Sequence, residues 1–338
     1  MLARTFSSDV CNPQTTTPPR GVHSVRRTSN IDIAFGDNGA LILSGGCRDL
    51  RTAGKAVQTL GVAQLAADLD QSHMLLRLQI PAATGVDIAR VEGLVGSLVG
   101  AGFRGRVAAA LLAAETTPLF VLLDDLPVAA LISGYARMYR GEFADQGIDR
   151  GLVKADICSG WRSDGHMVMS IRRHGQMPIP LGPAAPELLA DNDPLGWHEI
   201  RGLSAGSMRR RRLINVSRAE SDSSDVDGSG QLEVFAMFRD THVDANDGIE
   251  RVLHEYSLTA VIDRRDFTLQ ACVATPRVLP WNECPDAANS AARLNGQPIS
   301  ELRELVRRDF RGLGTCTHLN DLLRSLGDLS GLAALLDP

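Results

Sequence analysis

Thiol, imidazole and carboxylate side chains crowd together at two places in the C-terminal half of this 338-residue chain, Pro280-Trp281-Asn282-Glu283-Cys284-Pro285 and Thr315-Cys316-Thr317-His318-Leu319-Asn320-Asp321. Such a set can supply a nucleophile with its base, part of a zinc site, or a buried polar staple. Cys316 stands where a helix is expected to begin, after Gly314 and Thr315, and exposed N–H groups at a helix start favour the thiolate. If that start converged with the helix expected at Cys284, then Cys284, Cys316 and His318 would offer three ligands to a tetrahedral ion, with Asp240 or His242 as a fourth. A lone Cys-x-His without a Cys-x-x-Cys pair is weakly diagnostic of such a site.

A second constellation suits proton transfer. Arg239-Asp240-Thr241-His242 ends one strand-like run and His254-Glu255-Tyr256 opens the next, so a hairpin would bring a carboxylate, two imidazoles and a phenol to one end of a sheet. In that arrangement Asp240 or His242 is the general base, His254 or Tyr256 the acid, and Arg239 the partner of a developing oxyanion. The plainer alternative is an ion pair of Arg239 with a neighbouring carboxylate on a solvated strand end.

Composition narrows the partners. Hydrophobic residues make up 44% of the chain and the formal net charge is -5, which gives no global attraction to nucleic acid or anionic membrane and leaves a small molecule or a protein as the expected partner. The basic run Met208-Arg209-Arg210-Arg211-Arg212 lacks interleaved aromatics and reads as a solvated edge or an anion clamp. Ser44-Gly45-Gly46 continues into Cys47-Arg48-Asp49 rather than a helix start, so no phosphate-binding loop is expected. The longest apolar run, Arg106 to Leu123, is interrupted by Glu115, Thr116, Thr117 and Pro118 and falls short of a membrane span. The 6 cysteines, at positions 11, 47, 158, 272, 284 and 316, are widely scattered and argue for reduced thiols in a cytoplasmic protein.

The elements that must position these groups read as two similar units. Residues 1–25 are expected as a disordered tail, 26–134 as a first unit, 135–209 as a Pro- and Gly-rich connector packing across both, and 210–338 as a second unit. Arg211-Arg212-Leu213-Ile214 echoes Arg26-Arg27-Thr28-Ser29, strand-like Leu232 to Asp240 echoes Ala40 to Asp49, and His254 to Ile262 echoes His73 to Ile80. Helices are expected at Asp286–Leu294, Ser300–Phe310 and His318–Leu326, matched by Asp87–Leu98, Arg104–Leu112 and Phe120–Leu131. Strands followed by helices predict an α+β fold of two pseudo-repeated units, each an antiparallel sheet covered on one face by helices. Pro118 and Phe120 then occupy the places of Cys316 and His318, so the first unit lacks the cluster but keeps Arg48, Asp49 and His73. Asp222 to Gly230 reads as a polar hairpin loop. The apolar stretch Ile88 to Leu112 offers a homodimer face.

These residues resemble the bacterial domain-of-unknown-function 2889 family. The resemblance rests on Arg239-Asp240-Thr241-His242-Val243, His254-Glu255-Tyr256, the Pro-Trp-Asn-Glu-Cys-Pro run and Thr315-Cys316-Thr317-His318-Leu319, and spans about Ser207 to Leu332, with the first half as a diverged copy. A more distant similarity in element order is to iron-sulfur scaffold and sulfur-acceptor proteins, and it places Cys284, Cys316 and Asp240 near cluster-assembly positions. The family resemblance implies a setting among enzymes that break down aromatic compounds. Together with the absence of a nucleotide fingerprint, it leads to the expectation of a cofactor-independent lyase of retro-aldol, formaldehyde-releasing type, or an isomerase, acting on an aromatic, lignin-derived or similarly bulky small molecule. The alternatives are a zinc- or iron-binding or sulfur-carrier protein using Cys284, Cys316 and His318, and a non-catalytic interaction module. Neither nucleic acid nor membrane is expected as a partner.

Overall fold

A computed structural model describes residues 7–36, 39–111, 116–141, 154–219 and 230–336. Period-two burial marks its strands: between Ala56 and Leu69, side chains 63, 65, 67 and 69 are buried while Val62 and Gln64 are exposed, as in a strand with one wet face. Among the described residues eight strands form, β1 (His23–Phe35), β2 (Leu41–Ala53), β3 (Ala56–Leu69), β4 (Leu75–Ala83), β5 (Met208–Arg218), β6 (Gln231–Val243), β7 (Glu250–Asp263) and β8 (Leu269–Val278).

Where two sheets were expected there is one. Its order is β4-β3-β2-β1-β5-β6-β7-β8, with every neighbour antiparallel. β1 and β5 join the halves, Ser24 lying opposite Ser217 and Ile33 opposite Met208. Kept apart, these strands would each expose a row of backbone donors and acceptors, and pairing satisfies both. The element matching also shifts. His254 to Ile262 lies in β7, third in its half, whereas His73 to Ile80 leads into β4, fourth in its half, because β3 was not anticipated.

The basic run is neither a solvated edge nor an anion clamp. It is β5, at the centre of the sheet, and three of its arginines are buried against carboxylates: Arg209 on Asp32, Arg210 on Asp240 and Asp321, and Arg212 on Asp125. Buried charge is tolerated only when paired and hydrogen-bonded, and acidic partners far away in sequence meet that requirement here.

Each four-strand run is followed by helices. The first half has a 3-10 helix Ile88–Leu94, then α1 (Phe103–Leu111) and α2 (Pro118–Tyr139). After the connector helix α3 (His166–His174), the second half has a 3-10 helix Cys284–Leu294, then α4 (Leu302–Asp309), α5 (Thr317–Ser325) and α6 (Leu329–Ala334). Pro118, expected to interrupt an apolar run, instead starts α2: its missing N–H costs nothing in the first turn, and the Thr117 hydroxyl caps the amide of Phe120. α2 is long and apolar enough to cross a membrane, yet 78% of its most apolar window is buried in the protein, as befits a core helix.

Two large apolar cores result. One gathers Ile31, Leu43, Leu65, Phe103, Leu122 and Ile132, and the other Val234, Phe238, Leu258, Trp281, Leu294 and Leu322. Most apolar side chains of the 88–111 stretch expected as a homodimer face point into the first core, with Ile88, Val95 and Leu98 left exposed.

The opposite face of β5–β7 is covered by the connector and by the segment expected as a disordered tail. Thr17 donates to the Leu188 carbonyl at 2.9 Å, Asn12 to the Arg277 carbonyl at 2.8 Å, and Arg20 pairs with Asp193 at 2.8 Å. Side chains on this face, among them Arg239 and Glu255, therefore end in a second interior rather than in water. The loop expected at 222–230 lies outside the described residues apart from Gly230.

Candidate functional site

Directly opposed residues of antiparallel strands share a face, and across β6 and β7 Asp240 stands opposite His254. Two helices meet them there. His318, in the first turn of α5, stacks on His254 with ring centroids 3.9 Å apart and planes 20° from parallel. Tyr135 of α2 approaches the same ring edge-on, its Oη 3.2 Å from His254 Nε2. The other ring nitrogen, Nδ1, lies 3.9 Å from Asp240 Oδ2, within ion-pair reach but too long for a hydrogen bond. No described residue hydrogen-bonds Nδ1 of His254 or Nε2 of His318.

Asp240 is held from behind. Arg210 places Nη1 2.9 and 3.0 Å from its two oxygens, gives Nη2 to Asp321 at 2.7 Å, and lies 4.7 Å from the centre of the Phe238 ring. Burial raises the Asp240 carboxyl to about 6; Arg210 opposes that rise, and Asp321 and Asp125 add to it. Burial would also raise Asp321, but Arg104, Arg210, Arg212 and Arg324 hold it well below the usual carboxylate range. Burial drives both imidazoles toward the neutral form, His318 to about 3, with Arg210 adding to the effect. Burial lowers His254 well below its usual value, with His318 and Arg210 adding to the effect. The site thus contains a carboxyl near neutrality beside two uncharged rings, a set suited to moving protons.

A cavity of about 470 Å³ opens beside it, walled by Tyr135 and His318 at the polar end and by Met138, Trp161, Met177 and Ile179 elsewhere. Its size is that of a small-molecule site.

Of the residues expected to act together, Asp240, His254 and His318 converge. Tyr256 is on the same face but deeper, its Oη donating to the Cys284 carbonyl at 3.2 Å and lying against the Cys316 thiol. His242 lies beyond a β-bulge at Asp240/Thr241, stacked 4.5 Å from Tyr139, with burial lowering it to about 4. Arg239 points to the opposite face, because consecutive strand residues alternate. It binds Glu255 there and donates to the carbonyls of Pro186 and Gln14, a buried pair rather than the solvated one considered as the plain alternative.

The expected thiol chemistry meets unfavourable surroundings. Cys316 does occupy the N-cap of α5, but burial pushes its thiol up to about 11 against the pull of the Leu319 and His318 amides. Cys284 rises well above its usual value through burial beside Cys316 and Cys158. Among the described residues, the groups whose ligand atoms converge are Asp240/His254/His318 and Asp124/Asp125/Asp321, and neither includes a cysteine. In the first, two imidazole rings stacked with centroids 3.9 Å apart and planes 20° from parallel are poorly disposed to direct in-plane lone pairs at one ion. In the second, Arg104, Arg212, Arg303 and Arg324 already supply the positive charge. Cys284, Cys316 and His318, the set considered for zinc or iron, are not among the groups of described residues whose ligand atoms converge.

Three groups went unnoticed in the sequence: Tyr135, Arg210 as the support of Asp240, and Trp161. A signal for the first was present. The chain has 3 tyrosines. Tyr135 and Tyr139 are one helical turn apart and each meets a histidine, His254 and His242 respectively.

The fold and site define an α+β protein with a buried Asp-His-His cluster at the joint of a sheet and two helices, beside an apolar cavity. Residues 208–330 match a family described as a protein of unknown function, DUF2889. No curated protein and no solved structure matches the chain. The matched segment holds Asp240, His254 and His318, whereas Tyr135 and Trp161 come from outside it.

Proposed function

We propose that this protein is a small-molecule enzyme performing acid–base chemistry, a carbon–carbon lyase of retro-aldol type or an isomerase acting on a bulky aromatic compound. The observation that carries the reading is the chain of groups Tyr135–His254–Asp240, which leads from the cavity wall to a buried carboxyl of tuned acidity. In the forward step the substrate hydroxyl gives its proton to the Tyr135–His254 pair, and the Asp240 carboxylate, 3.9 Å from Nδ1 and within ion-pair reach, offsets the charge the ring takes on. The bond from the carbinol carbon to its neighbour breaks, a small aldehyde leaves, and the electron pair stays on the aryl-stabilised carbon. That carbon then takes the proton back, leaving no net change in oxidation state. His318, at the cavity wall, orients the substrate oxygen.

We also read the two halves as diverged copies, each an antiparallel meander with a helical cover, of which the second keeps the chemistry. The sulfur-carrier reading has less support, since both of its thiols are buried and held protonated.

The test is aldehyde release, by colorimetric trapping, from a panel of hydroxymethyl-bearing mono- and diaryl compounds. Wild type should release formaldehyde from at least one member, and Y135F and H254A should each lower kcat/KM by at least about a hundredfold, Y135F with an unfolding temperature close to wild type. Turnover that survives both substitutions would overturn the assignment.

A further inference from the structure

The cavity wall carries two features that bear on what it binds. The first is electrical: among the described residues none of the side chains lining it is Lys, Arg, Asp or Glu, and its polar groups are the Tyr135 hydroxyl, the Thr317 and Gln176 side chains, the His318 ring, the Trp161 indole N–H and the Cys158 thiol. Burial keeps that ring uncharged at neutral pH. A carboxylate or ammonium entering would lose its hydration with no countercharge among the described lining residues to replace it. An uncharged ligand with a hydroxyl or carbonyl loses little, because Tyr135, Thr317 and Gln176 can hydrogen-bond it.

The second feature is Gly134. It lies inside α2, one residue before Tyr135, where glycine is less favourable to a helix than alanine. Neither of the usual reasons for a helical glycine applies, since a Cβ built there meets nothing within 4 Å and Gly134 is not among the glycines with positive φ. It does line the cavity, so the space a side chain would take is cavity volume. An apolar hole of about 150 Å³ is enough for benzene, and this one, at about 470 Å³, has room for a larger ring system, part of it the space that a side chain at position 134 would fill.

We infer that the cavity binds an uncharged, largely apolar molecule carrying a hydroxyl or carbonyl oxygen, and that Gly134 sets the largest size admitted. The inference deepens the proposed function and rests on its choice of site, but it concerns binding alone.

The experiment is fluorescence and calorimetric titration of the full chain with 2-naphthol, 2-naphthoate and 4-methylphenol. Wild type should bind 2-naphthol at least a hundredfold more tightly than 2-naphthoate. G134A should unfold at a higher temperature while lowering the ratio of 2-naphthol to 4-methylphenol affinity about threefold, and G134L should lower that ratio by thirtyfold or more. Because G134A adds a single methyl to open space, it keeps the size claim testable even if G134L fails to fold. Equal binding of naphthol and naphthoate would overturn the charge claim, an unchanged ratio in G134A would overturn the size claim, and no binding of 2-naphthol would overturn both. Binding as expected without aldehyde release from any substrate would uphold this inference and remove the lyase reading.

Discussion

The two halves bury the same ion pair in different company. In the first, Arg27 grips Asp49 with Nε and Nη2, each at 2.6 Å, and in the second Arg210 grips Asp240. In both, the arginine lies on the first strand of its half and the aspartate is its cross-strand neighbour on the second. The next residue across the sheet is Gly61 beside Asp49 and His254 beside Asp240. The helix that follows then brings Pro118 against Gly61, but His318 against His254. The ion pair is thus something the joint of this sheet uses in either half. The imidazole pair is not required by it, and so it is the feature to explain by function.

The largest expected effect separates the two aspartates. Removing one partner of a buried pair costs about 3–5 kcal/mol, and D49A should approach that, since Arg27 would be left with the Thr116 carbonyl and with Asp328 at 3.6 Å. D240A should cost roughly 1–2 kcal/mol less, because Arg210 keeps Asp321 at 2.7 Å and the lost carboxyl was itself held with a raised pKa. Urea unfolding of both variants measures this. Equal losses would make Asp240 as structural as Asp49 and weaken the contrast.

Acid should act on the second half through its buried neutral imidazoles, where the first has glycine and proline at the matching positions. His242, lowered to about 4 by burial against the pull of Asp244, gives the cleanest case. Above the unfolded value near 6.5 the ring is neutral in both states and has no effect on pH dependence. Between about 6.5 and 4 the unfolded chain takes up a proton that the folded one refuses, so stability falls as pH falls through that window and levels off below it, by up to about 3 kcal/mol. H242F, which keeps a ring against Tyr139, should flatten part of this slope in unfolding temperatures measured from pH 7 to 4. An unchanged slope would mean that His242 is solvated in the folded protein.

Much of the site was legible because it depends on local order. A hairpin pairing Asp240 with His254 follows from two strand-like runs with a turn between them, and Thr315-Cys316-Thr317-His318 announces a helix start. What escaped was non-local. Nothing near Arg210 in the sequence shows that its partner is Asp321, so a buried central strand read as a wet edge. Tyr135 was lost because the helix from Phe120 was expected to stop at Leu131, before the turn that carries it. The single sheet was missed for a related reason: an open edge on β1 and another on β5 are each reasonable alone, and only their mutual fit argues against both.

The smallest effect tests how well the quiet half is packed. A Cβ at Gly61 would lie 3.2 Å from Pro118 Cγ and 3.7 Å from Asp49 Oδ2, tighter than comfortable on the ring side. G61A should therefore cost about 1 kcal/mol, crowding outweighing the entropy that alanine removes from the unfolded chain. P118A trims the opposing ring, so the double variant should recover at least about 0.5 kcal/mol relative to the sum of the single changes, measured by a double-mutant cycle in urea. The same cycle with H254A and H318A should also fall below the sum of the single changes, since the favourable stacking of the two rings at 3.9 Å is counted in each single variant but lost only once. If G61A and P118A proved additive, the glycine would not be there to admit the proline, and the first half would hold space beside its ion pair that a larger side chain could fill.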